Sequence, residues 1–294
     1  MLKKLIGAIA AAAGLSACAG AAEAPRVAEA KPALWKLADE DTTIYLFGTV
    51  HMLPEGVDWR SAALDQAIKA SDTLVIETLI NKDPMGAAGV MMKLGVTPGL
   101  PPLLERVPAE KRPQLEALAK STGVPLASLD RMETWAAGLT LLAVQFQKMG
   151  IDPSRGVEMA LSRDYQGKPI EGLETVEQQF GLFDSLSEDS QRKFLAGILD
   201  TPEQMKAEFG AMVAAWSAGD EKRMAATFDS ETALSPELRE VLMKKRNAAW
   251  AEWLARRLEK PGTVMVAVGA GHLTGRDSVQ AMLKAKGLNT TRVQ

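Results

Sequence analysis

The chain has two histidines, and each closes the same short motif: Gly48-Thr49-Val50-His51 and Gly269-Ala270-Gly271-His272. Both motifs directly follow an apolar run. With 24 Gly among 294 residues, a given histidine has a glycine three places before it in about 8% of random arrangements, so finding both is an accident of about 0.7%. Gly48 and Gly269 would let the backbone turn sharply, or approach a ligand closely, as a strand ends. That presents the imidazoles at the carboxyl edge of a sheet. Glu77 closes the apolar run 73–76 and Glu174 closes the run 169–173, so four strand ends would deliver polar groups to one edge. Two imidazoles and two carboxylates support two chemistries. One is a mixed N/O site for Mn²⁺ or Zn²⁺ with an open water position; the other is a metal-free histidine base poised by a carboxylate. Carboxylates that merely cap the next helices, beside imidazoles in ordinary polar contacts, would explain a lone histidine better than a repeated motif.

The elements that would position these groups are legible in the hydropathy pattern. Residues 33–37 and 42–50 read as strands around a turn, the second almost continuously apolar and so buried on both faces. Residues 58–71 carry Trp59, Ala62, Leu64, Ala67 and Ile68 at helical spacing, and 73–76 is a short strand. Strand, helix and strand form a βαβ unit, whose crossover favours a parallel pair. From 84 to 152 the pattern is helical, with 109–121 amphipathic and 136–146 apolar almost all round yet too short to span a bilayer. A helix over 156–166, a strand over 169–173 and a helix over 176–186 follow. Residues 190–254 are helical in pieces broken at 200–202, 219–220 and 235–236. A strand at 264–268, a helix at 277–286 and a strand at 290–293 close the chain. This predicts an α/β fold: a central, mostly parallel sheet flanked by helices, with a helical insertion forming a cap.

Composition narrows the function. With 47% hydrophobic and 24% charged residues the chain is neither collagenous nor disordered. The balance of 34 Lys+Arg against 37 Asp+Glu gives a net charge of −3, which argues against nucleic acid as a partner. The N-terminus reads as an export signal: two lysines by Lys4, an uncharged Ala-rich run over 5–15, then Leu15-Ser16-Ala17-Cys18, which resembles the bacterial lipobox. The only cysteine, Cys18, stands where a lipid anchor would be attached; the alternative is ordinary cleavage after Ala19, since Ala17-Cys18-Ala19 also reads as A-x-A. The expected organisation is a signal peptide over 1–17, a flexible tether over 18–31 rich in Ala, Pro and charge, and one domain over 32–294. The protein would then be lipid-anchored in the cell envelope, facing the periplasm, with the outer membrane as its expected place.

Several motifs together resemble the TraB/PrgY/GumN family, which includes the Tiki-like proteases. They are Leu34-Trp35-Lys36, Phe47-Gly48-Thr49-Val50-His51, Val75-Ile76-Glu77-Thr78, Gly156-Val157-Glu158, Gly172-Leu173-Glu174-Thr175, Arg246-Asn247 with Trp250, and Val268-Gly269-Ala270-Gly271-His272. The resemblance runs from about residue 32 to the end. It implies a fold related to the erythromycin-esterase and ChaN-like group. It also implies a metal-dependent hydrolytic site, peptidase-like, acting on a peptide or small-molecule substrate. His51, His272 and Glu77 match the residues that would hold the ion, Glu77 or Glu174 would accept a proton, and Arg246 would neutralise an oxyanion. Glu158 stands where the family often has Asp, and Asn247 would support the site. The alternatives are a non-catalytic protein binding heme, metal or peptide, and a metal-free esterase with His51 as base. Met85, Met91 and Met92 could line a heme or peptide groove, although methionine more often fills gaps in a core.

Lipidation requires the thiol, so Cys18→Ser is expected to release the protein from membranes or to block its maturation. Fractionation of cells checks this, and a normally processed variant that stays on the membrane would show that Cys18 is not the anchor.

Overall fold

The computed structural model describes residues 30–54, 56–79, 83–151, 155–232 and 235–294. The expected signal peptide, Cys18 and all but the last two residues of the expected tether lie outside them. Those last two belong to the fold: Ala30 is buried, and the Lys31 N–H donates to the carbonyl of Ser217 at 2.7 Å. Among the described residues no helix is long and apolar enough to cross a membrane.

Six strands, β1 (Leu34–Ala38), β2 (Thr42–Thr49), β3 (Thr73–Ile76), β4 (Ile170–Gly172), β5 (Gly262–Gly269) and β6 (Thr291–Arg292), form one sheet in the order β4-β3-β5-β2-β1-β6. The inner four, β4, β3, β5 and β2, are parallel; β1 and β6 complete one side antiparallel. The sequence pattern pointed to β2 and β3 as a parallel pair around the crossover helix. They are parallel, but β5 lies between them and pairs with both. The β2–β5 ladder runs from Thr42↔Gly262 to Thr49↔Gly269, so the two Gly-x-x-His motifs leave adjacent strands nearly side by side.

Alternation along the inner strands assigns each face its core. Ile44 and Leu46 of β2 join Val264, Val266 and Val268 of β5 under the helices Arg246–Leu258 and Val279–Ala285. Phe47, Met265 and Ala267 face the opposite, larger cluster, which holds the helical insertions. Helix Thr134–Lys148, apolar almost all round, is buried there with Trp135, Leu141 and Leu142 fully enclosed. The first crossover helix is shorter than its pattern: it spans Ala62–Ala70, begun by the Ser61 side chain accepting from the Leu64 N–H. Trp59 lies before the helix, yet it is buried, with its ring 6.0 Å from that of Phe47. Capping boxes at Thr175 and Thr201 start the helices Val176–Asp184 and Pro202–Ser217. A π-helical stretch, Glu240–Lys245, runs directly into Arg246–Leu258. An extra residue per turn there changes which way the following side chains face.

Gly48 carries a steric requirement of this arrangement. A Cβ on it would lie 3.0 Å from Ala270 Cα and 3.1 Å from Ala270 Cβ, and a backbone atom cannot rotate away. Gly48→Ala is expected to cost about 1–3 kcal/mol, the usual range for overpacking. Denaturant unfolding measures it, and an unchanged midpoint would refute the close approach of the two motifs.

Candidate functional site

At the carboxyl edge of the parallel strands, β3 leads directly into Glu77, β4 leads to Glu174, and β2 and β5 lead to His51 and His272. The ladder continues past β3 and β4: the Leu173 N–H donates to the Ile76 carbonyl at 2.9 Å and the Glu174 N–H to the Glu77 carbonyl at 2.8 Å. Glu77 and Glu174 are thereby held side by side, facing Arg246 on the helix that packs under the sheet.

Arg246 is 5% exposed, and its guanidinium donates in five directions. Nε reaches Glu174 Oε1 at 2.8 Å, and Nη2 reaches Glu174 Oε2 at 2.8 Å and Glu77 Oε2 at 2.6 Å. Nη1 reaches His272 Nε2 at 3.1 Å and, at 3.5 Å, the Leu242 carbonyl. A guanidinium has five N–H groups, so all are used. Its Cζ lies 4.7 Å from the centroid of the Trp250 ring, as the four-residue spacing on one helix face allows. Burial alone would favour the neutral guanidine, but the two carboxylates more than offset it and hold Arg246 charged.

Glu77 is equally enclosed. Its Oε1 accepts from the Gly269 N–H at 2.7 Å, and Gln179 Nε2 donates to Oε2 at 3.3 Å. Burial would raise its pKa, yet Arg246 first, then the two histidines and the Gly269 N–H, keep its carboxyl well below the usual carboxylate range. A carboxylate so stabilised is a poor proton acceptor, and both Glu174 oxygens accept from Arg246. Arg246 likewise has no N–H left for an oxyanion.

The two histidines share a motif but not a state. His272 is buried, and its Nδ1–H donates to Asn247 Oδ1 at 2.6 Å. The Asn247 amide is itself fixed, because Nδ2 donates to the Asp277 carbonyl at 2.7 Å. His272 Nε2 is therefore the lone-pair nitrogen that accepts from Arg246. Burial first, and the Arg246 charge second, push its pKa down to about 3. His51 differs. Its Nδ1 lies 2.7 Å from Glu158 Oε1, with the side chain 15% exposed, and its Nε2 has no hydrogen-bond partner. Burial opposes its charged form, but Glu158 beside it prevails and raises its pKa above 6.5. Glu158 sits in the first turn of the helix Val157–Asp164, pinned to the end of β2 by the Val157 N–H donating to the Val50 carbonyl at 3.1 Å. The Thr49 hydroxyl also donates to Glu158.

The resemblance implies a divalent ion at His51, His272 and Glu77. Their donor types suit one, but their engagement does not. Glu77 Oε1 is 3.9 Å from Nε2 of each histidine, His272 Nε2 already accepts from Arg246, and both Glu77 oxygens are hydrogen-bonded. Among the described residues no three His, Cys, Asp or Glu side chains are grouped so as to hold a metal ion. As arranged, these residues do not fit a metal ion.

Of the site residues named from the sequence, His51, Glu77, Glu158, Glu174, Arg246, Asn247, Trp250, Gly269 and His272 meet here; Gly48 packs against Ala270 beside them, and Cys18 lies outside the described residues. Gly269 contributes by lacking a side chain: a Cβ on it would come 3.1 Å from Glu77 Oε1 and 3.4 Å from His51 Nε2. Two participants went unrecognised, Gln179 and Thr49. Gln179 reads as an ordinary polar residue on an amphipathic helix; Thr49 stood inside the first motif, where its position could have singled it out. Met85 and Met92 are 82% and 62% exposed on the helix Pro84–Leu94, and Met91 is half-buried against the larger core cluster.

The sequence model of the TraB/PrgY/gumN family matches residues 33–292, so the chain belongs to that family. It is similar to the uncharacterized protein YbaP of Escherichia coli K12, 26% identical over 245 residues that cover 82% of this chain and 87% of YbaP. YbaP of Shigella flexneri matches equally. An uncharacterized protein of Treponema pallidum strain Nichols is 21% identical over 272 residues, covering 86% of this chain and 80% of that one. No solved structure matches.

The opposite shifts of the two histidines have opposite signatures in stability. His272 is depressed from 6.5 to about 3, so below pH 6.5 the unfolded chain takes up a proton that the folded one refuses. Its contribution is complete above pH 6.5 and falls by about 1.4 kcal/mol per pH unit on acidification toward pH 3. His51 is raised, so its contribution is complete below pH 6.5 and fades as pH rises through its folded value. Denaturant titrations of wild type and His272→Gln across this range are expected to show a stability difference that shrinks as pH falls. A difference independent of pH would refute the buried neutral imidazole.

Proposed function

We propose that this member of the TraB/PrgY/gumN family is a hydrolase of peptide or ester bonds in the cell envelope, anchored through Cys18, with His51 as its base. The observation that carries the reading is the unpaired Nε2 of His51 on an imidazole whose other nitrogen is held by Glu158. A base needs a lone pair that no neighbour occupies and a partner that stabilises its charge once the proton arrives. His272 has neither, since Arg246 occupies its lone pair and opposes its charge. The His51 side chain is 15% exposed, with Glu158 and Glu174 at 12%, against 4–7% for Glu77, Arg246 and His272; His51 Nε2 itself is buried on the inner side, so the attacking water must reach it within the site.

In this reading His51 Nε2 takes a proton from the water that attacks the substrate carbonyl. Nδ1–H keeps its bond to Glu158, which steadies the imidazolium, and the same proton then passes to the leaving nitrogen or oxygen. Glu77, Glu174, Arg246 and Asn247 keep the strand ends and His272 in place around it.

A peptide and ester library, run with chelator and again with Mn²⁺ or Zn²⁺, tests the activity. Turnover is expected with chelator present, and His51→Ala is expected to lower it by roughly 10² to 10⁴. The acid limb of the rate profile should lie above pH 6.5 and move down in Glu158→Gln, because Glu158 is what raises the His51 pKa. Full activity in His51→Ala, or no cleavage of anything offered, would overturn the reading.

A further inference from the structure

The side chains that a divalent ion would need are not idle; they surround a cation that the chain supplies itself. Glu174 accepts from Arg246 through both oxygens, Glu77 through one, and His272 through its lone-pair nitrogen, all between 2.6 and 3.1 Å. They arrive from the ends of three neighbouring strands, β4, β3 and β5, and converge on one guanidinium. The Trp250 ring covers one side of it. Every N–H of the guanidinium is used, so the arrangement has the character of a filled coordination sphere, built for a planar, forked cation rather than for a metal ion.

We infer that Arg246 is the resident cation of this site, occupying with its guanidinium the position a divalent ion would take, so that the native protein binds no such ion there and loses that exclusion when Arg246 is removed. The inference goes beyond the proposed hydrolysis and does not depend on it, since ion uptake is read with no substrate present.

Truncating Arg246 would leave Glu77, Glu174 and His272 facing a shared space with two uncompensated carboxylates. That is a mixed O/N donor set suited to Zn²⁺ or Mn²⁺. The full chain, purified in detergent without a histidine tag and stripped with chelator, is titrated calorimetrically with ZnCl₂ and with MnCl₂. Wild type is expected to take up neither stoichiometrically. Arg246→Ala and Arg246→Met, checked for folding by near-ultraviolet circular dichroism, are expected to bind Zn²⁺ stoichiometrically at micromolar concentration. Adding Glu77→Gln or His272→Gln should then weaken that binding by roughly 10- to 100-fold. Arg246→Lys, which keeps a positive charge, is expected to bind none. Stoichiometric uptake by wild type overturns the inference whatever the variants do, and so does a folded Arg246→Ala that binds nothing.

Discussion

A buried ion cluster, Glu77 and Glu174 on Arg246, is the interaction on which the rest of the site depends. Removing three charges from water is costly, and their mutual attraction repays that only when the geometry is good and every remaining lone pair and proton is satisfied. Here it is: the guanidinium uses its full set of donors, and Gly269 and Gln179 complete Glu77. Breaking such a cluster by removing one partner typically costs about 3–5 kcal/mol, because the charges left behind are stranded. The cluster also joins β3, β4 and the helix Arg246–Leu258 into one body, so the strand ends cannot shift independently.

The cluster differentiates two histidines that the sequence presents as equals. Arg246 takes the lone pair of His272 and Asn247 its proton, leaving that imidazole neutral and committed. His51 lies just beyond the guanidinium's reach, and the nearest firm partner it meets is the carboxylate of Glu158. One motif, written twice, yields an imidazole with both nitrogens engaged and one whose Nε2 has no partner, because of what other segments bring to each.

How far the sequence revealed this depends on the range of the interaction. The strands, the helix stripes and the placement of all four polar strand ends are local properties, and their hydropathy periods and Gly-x-x-His spacing were readable. The insertion of β5 between β2 and β3 was not, because parallel pairing joins residues about 200 positions apart and leaves no mark in either run. The sharing of a helix face by Arg246 and Trp250 was readable from their spacing; that Arg246 points inward at two carboxylates was not. It depends on the π-helical stretch before it and on a ladder that extends beyond β4. Gln179 shows the same limit, since nothing distinguishes a buried polar contact from a solvated one along an amphipathic helix.

The strand order has a consequence for how the molecule comes into being. The strand at the middle of the sheet begins at residue 262, so it is made after the other three inner strands. Until it docks, β2 and β3 each present a bare parallel edge, and the apolar residues of both cores lack the strand that divides them. His51 and Glu77 then have neither Gly269 nor His272 beside them. Contacts this distant in the chain are slow to form, because the loop must close before any pairing rewards it. A chain cut short before residue 262 carries only the first of the two Gly-x-x-His motifs, with neither Gly269 nor His272 to complete the site.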